Sequence, residues 1–168
     1  MFWTILLGVA TGMRTMTAMA ALCWAAHLGY LPVEGTWAAW TGKLATVIVF
    51  SVLALGEYVA DTLPRAPSRT DVGPMAARVC FAALVGVIVA TVMGQPKAGG
   101  VVLGVGGALV GAYGGYRARM FGARLAGRDL PVAVVESAVA LGLAALALAH
   151  IYMEIVTVAN PPVLLLPR

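Results

Sequence analysis

Residues 2–30 read FWTILLGVATGMRTMTAMAALCWAAHLGY and carry one charged side chain, Arg14. About 20 mostly apolar residues suffice for a helix to cross a bilayer, so this stretch reads as a first spanning segment, Phe2 to about Tyr30. A polar break interrupts it at Thr11-Gly12-Met13-Arg14-Thr15. Four further segments have the same character: about Trp37 to Thr62, about Pro74 to Met93, about Ala98 to Tyr116, and about Leu130 to Met153. Pro32, Pro64, Pro74, Pro96 and Pro131 fall at or beside the segment ends, where proline is tolerated. The N-terminus MFWTILLGVATG has no basic start and reads as part of the first span, not as a cleaved leader.

Composition supports the same class. Of 168 residues, 61% are hydrophobic and 11% charged, with a mean hydropathy of +0.94. A soluble domain carries roughly 25% charged residues. The chain is therefore expected to be one all-α domain over residues 1–168, a polytopic membrane helical bundle of about five transmembrane helices. The net charge of +4 comes from residues placed in short loops, without the basic face that nucleic-acid binding needs. The lipid bilayer is the expected surrounding. Cys23 and Cys80 lie in apolar runs, form no CxxC, and read as small packing residues.

Basic residues are retained in the cytoplasm. Arg65, Arg69 and Arg78 surround the second connection, and Arg117, Arg119, Arg124 and Arg128 the fourth. Lys43, Lys97 and Arg168 lie on the other side. With five spans this places the N-terminus inside and the C-terminus outside. Leu7-Gly8-Val9 and Leu103-Gly104-Val105 open two segments, each followed by a glutamate-bearing one. This suggests a repeat of inverted topology, spans 1–2 against spans 4–5, as in many transporters.

Arg14 is the most informative residue. It lies about 18 Å of helix into the first span, and an arginine at a helix centre costs about 2.5–3.5 kcal/mol on insertion scales. Thr11, Thr15 and Ala18 share its face at helical spacing, and Gly12 lets the helix bend or unwind. Arg14 is read either as a site residue or as a structural partner in an ion pair. Glu57 and Asp61 are one turn apart on span 2, and Glu136 enters span 5 at similar depth. Three carboxylates at one level could coordinate a hard cation or pass protons; the other reading, compatible with it, has one or two of them neutralising Arg14. No metal is assigned. Arg65, Ser68, Arg69 and Thr70 form a stiff basic loop that could cradle a phosphate headgroup, or simply set topology. Gly107, Gly111 and Gly115 recur every four residues and form a packing groove, within the chain or in a homo-oligomer. His150 and Glu154 read as an interfacial pair. There is no Ser-His-Asp set, HExxH or nucleotide motif, so neither an enzyme nor a cofactor is expected.

Two strings resemble a family. Gly8-x3-Gly12-x-Arg14-Thr15-x-Thr17 and Glu57-x3-Asp61-x2-Pro64-x2-Pro67-x-Arg69-Thr70 are similar to the small bacterial membrane proteins grouped as domain of unknown function 4126. Thr62 stands where that family carries a basic residue. The resemblance implies a multi-pass protein of a bacterial cytoplasmic membrane, with no established activity. Three expectations follow from the residues. One is a transporter or channel for a small ion, with Arg14, Glu57 and Glu136 inside the membrane and Asp61 at the mouth. The second is a carrier or binder of an anionic lipid or lipid phosphate. The third is a structural subunit packed through the glycine face.

Overall fold

The computed structural model describes residues 2–60, 72–127 and 129–159. These form six α-helices: α1 (Phe2–Met13), α2 (Thr15–His27), α3 (Leu44–Ala60), α4 (Val72–Val92), α5 (Lys97–Ala126) and α6 (Asp129–Ala159). A short 3₁₀ helix, Trp37–Gly42, precedes α3. Among the described residues there is no strand. Three helices are long and apolar enough to cross a membrane: Val72–Val92, Lys97–Leu125 and Leu130–Val158. Their outward faces are apolar, with Val102, Val110, Leu141 and Leu146 all exposed, as a lipid surrounding requires.

The expected first span is not one helix. α1 and α2, of 12 and 13 residues, are each about 18–20 Å long, too short for a hydrocarbon core of about 30 Å. They fold back on each other at Arg14. Trp3, in the first turn of α1, stacks on His150 with ring centroids 3.9 Å apart. Tyr30, just beyond α2, meets Tyr152 edge-to-face at 5.3 Å. Both contacts are near the C-terminal end of α6, whereas Arg14 hydrogen bonds the carbonyl of Ala133 near its start. About 26 Å of α6 separates Ala133 from His150. Phe2 and Tyr30 thus lie toward one end of the bundle and Arg14 toward the other. The stretch read as one crossing is a helical hairpin. The beginning of α1 shares an end of the bundle with the later part of α6.

α3 runs antiparallel to α2: Trp24 Nε1 donates to Ser51 Oγ at 3.0 Å, and the Thr17 and Tyr58 hydroxyls meet at 2.8 Å. α2 and α4 end alike. Gly29 and Gly94 have φ of +79° and +62°, and the following amides of Tyr30 and Gln95 bond back to Ala25 and Ala90 at 2.8 Å. This is the glycine-dependent Schellman cap.

α5 is the packing centre. A Cβ on Gly107 or Gly111 would strike the backbone carbonyl of Ile5 or Val9 on α1, and one on Gly100 or Gly104 that of Gly86 or Ala82 on α4. The expected glycine groove exists, and α1 of the same chain fills it; Gly115 completes it against Met13. An oligomer through α5 would need another face. The matched pairs Gly8–Gly104 and Gly12–Ala108 show that α1 and α5 run parallel. The two Leu-Gly-Val strings therefore pack against each other in the same direction, not the opposed directions of an inverted repeat. The core joins Leu7, Met19, Leu22, Val85, Ile88, Val89, Leu148 and Ile151 from α1, α2, α4 and α6. Cys23 is buried in it, but Cys80 is exposed, so only the former is a packing residue within the chain.

Candidate functional site: the helix break at Arg14

Arg14 has extended backbone, φ −141° and ψ 107°, and its amide closes α1 on Ala10 at 2.8 Å. Breaking a helix leaves carbonyls without partners on one side and amides on the other. Here each side receives a charged group of the sign its dipole favours. The Arg78 Nε donates to the Gly12 carbonyl at the end of α1, at 2.9 Å. At the start of α2, Thr15 N donates to one Glu57 oxygen at 2.8 Å and Met16 N to the other at 2.9 Å.

Glu57 therefore reaches the level of Arg14, as its place on span 2 suggests. Both its oxygens go to the amides beyond Arg14 instead of to the guanidinium. The physical reason is the break itself, which offers two converging N–H groups at a helix N-terminus. The Arg14 side chain turns to α3 and α6. Only 1% of it is exposed. Its Nη2 donates to the Ala133 carbonyl at 3.3 Å, and its guanidinium carbon lies 5.3 Å from the centre of the Tyr58 ring, within cation–π range. It forms one wall of a recess of about 310 Å³ between α3 and α6, with Tyr58, Val59, Ala133, Val134 and Ser137. Ser137 Oγ also donates to the Ala133 carbonyl, at 2.8 Å.

Glu136 occupies the opposite face of α6. It is 7% exposed, and its Oε2 is 3.8 Å from Arg119 Nη1. Both line a second recess of about 470 Å³ with Met13, Gly115, Val132 and Val139. Glu57 and Glu136 are thus engaged with different partners on different elements and do not converge on one ion. Thr11 is buried and its hydroxyl donates back to the Leu7 carbonyl at 2.8 Å. Thr15 contributes its amide. The stripe Thr11-Thr15-Ala18 is not continuous, because the reversal at Arg14 puts Thr11 on a separate helix.

Asp61, Arg65, Ser68, Arg69 and Thr70 lie outside the described residues. The flanking residues Ala60 and Val72 end α3 and begin α4 at the Arg14 end of the bundle. His150 stacks on Trp3 and its Nδ1 donates to the Leu146 carbonyl at 2.9 Å, which identifies it as a packing group.

Arg78 and Tyr58 are the site residues that sequence reading missed. By its place in the sequence Arg78 reads as a topology-setting arginine, yet it is 4% exposed. Its signal was its position inside an apolar run, four residues past Pro74. Tyr58 carried none beyond adjacency to Glu57. Comparison of the chain with protein-family models, with curated proteins and with solved structures finds no match.

Proposed function

We propose that the protein binds an anionic group of the phosphate class at Arg14, approached from the side of the bundle between α3 and α6. The observation that carries this reading is a buried guanidinium forming the wall of a 310 Å³ recess. A guanidinium presents N–H donors in a planar fork that matches phosphate oxygens. Tyr58 and Ser137 line the recess beside it, their hydroxyls paired with Thr17 and the Ala133 carbonyl, and Val59, Ala133 and Val134 make the rest apolar. Low polarity strengthens the attraction between a cation and an anion placed there. Small-ion transport is less well supported, because Glu57 is occupied with two amides and Glu136 faces Arg119. The resemblance to domain of unknown function 4126 rests on the two quoted strings and supplies no activity.

The proposed topology follows from the hairpin. α3 to α6 cross the membrane and α1–α2 enters and returns, so that Phe2 and the end of α6 face the same side. Arg14, Arg78, Arg117, Arg119 and Arg124 gather toward the other end, which the retention of basic residues makes cytoplasmic.

The test is thermal unfolding of the purified protein in neutral detergent, with inorganic phosphate or glycerol phosphate against chloride at equal ionic strength. A ligand at 100 times its Kd stabilises by about 2.7 kcal/mol, a rise of about 5–10 °C for a chain of this size. Arg14→Gln should lose the rise, and Arg124→Gln, at an exposed arginine, should keep it. An equal rise in Arg14→Gln sinks the assignment.

A further inference from the structure

Toward the other end of the bundle, α2 and α6 leave a groove of about 510 Å³. Ala21, Trp24 and Leu28 line it from α2, and Leu141, Ala145 and Tyr152 from α6. Its walls are hydrocarbon and aromatic, and the one indole N–H is already bonded to Ser51. The groove is in line with the Arg14 recess. Ser137 in the recess and Leu141 in the groove are one turn apart on the same face of α6, about 6 Å. Measured along α6 from Ala133 beside Arg14, the groove runs from about 12 Å at Leu141 to about 28 Å at Tyr152. It therefore takes the outer part of a chain anchored at Arg14 and continues past the middle of a core about 30 Å thick. The Tyr30 and Tyr152 rings meet at the far end.

A cationic group at one end of a hydrocarbon channel suits an amphiphile. We infer that the ligand is a membrane phospholipid with an anionic headgroup, its phosphate at Arg14 and one acyl chain entering the groove between α2 and α6 beside Trp24. This rests on the reading of Arg14 as an anion site, and adds that the anion carries a chain. A free phosphate would use the recess and leave the groove without a role. Charge at one end and apolar surface along the rest distinguish the lipid from both a soluble anion and a neutral hydrocarbon.

Trp24 lines the groove, so bromine on an acyl chain seated there quenches its fluorescence. The four tryptophans are reduced to Trp24 by changing Trp3, Trp37 and Trp40 to Phe. The protein is reconstituted in phosphatidylcholine containing a small fraction of lipid with brominated chains, either phosphatidic acid or phosphatidylcholine. The brominated anionic lipid should quench several-fold more than the brominated zwitterionic one at equal mole fraction. Arg14→Gln should erase the difference. Ala145→Phe, at an exposed position within the groove, should also erase it while leaving the thermal response to glycerol phosphate intact. Equal quenching by the two lipids, with that thermal response present, overturns the lipid inference and leaves Arg14 a site for soluble anions. Equal quenching with no thermal response removes both. An anionic excess that survives Arg14→Gln shows that the headgroup is not held at Arg14 and overturns the proposal.

Discussion

Replacing Glu57 separates two accounts of why a carboxylate lies at this break. In the structure each of its oxygens accepts one amide, from Thr15 at 2.8 Å and from Met16 at 2.9 Å. Glu57→Ala leaves two N–H groups at the start of α2 without that acceptor. Each partly buried donor so stranded costs about 1–3 kcal/mol, giving about 2–6 kcal/mol together. Glu57→Gln keeps one acceptor oxygen and presents an NH₂ to the other amide, so about half is lost, about 1–3 kcal/mol. Glu57→Asp keeps the charge but is one methylene shorter, and should fall near the alanine variant. The expected order of stability is wild type, then Gln, then Asp and Ala. A charge pair with Arg14 predicts a different order: Gln would be as damaging as Ala, because both remove the charge, and Asp would be the mildest. Equilibrium unfolding of the protein in mixed micelles, followed by helical circular dichroism, measures these differences. Gln matching Ala, with Asp close to wild type, would refute the capping argument.

The glycines of α5 should divide by what their faces meet. Gly111→Ala puts a methyl into the Val9 carbonyl and should cost about 1–3 kcal/mol or more as α1 is displaced. Gly114→Ala meets nothing within 4 Å and should be neutral or stabilising by up to about 1 kcal/mol through helix propensity; equal melting temperatures for the two variants would show that α1 does not pack as described. Topology is testable by single-cysteine labelling in a background lacking Cys23 and Cys80. Phe2→Cys, Glu34→Cys and Gln95→Cys should react from one side of the membrane and Arg124→Cys from the other, and Phe2→Cys reacting with Arg124→Cys would break the hairpin.

What could be read from residues was what composition and short-range pattern control. Apolar runs of membrane length specify helices in lipid, because every buried backbone group must be satisfied within its own segment. The four-residue spacing of Gly107, Gly111 and Gly115 marks a close approach, because only residues without a Cβ allow it. Arg14 stood out because a charge inside an apolar run needs a specific surrounding. Even the helix break was signalled by Thr11-Gly12-Met13-Arg14-Thr15.

The tertiary structure decided direction and partner. Hydropathy is the same whether a chain continues or turns back at Arg14, since one residue's φ and ψ make the difference; the stacking of Trp3 on His150 reveals the reversal. The assignment of Glu57 to two amides instead of the guanidinium depends on that reversal, which alone brings the open start of α2 to the end of α3. Arg78 could be counted as a topology signal from sequence, yet its Nε closes α1, because the depth of an arginine depends on which helix lies beside it. The parallel packing of α1 on α5 follows from a reversal that hydropathy does not encode.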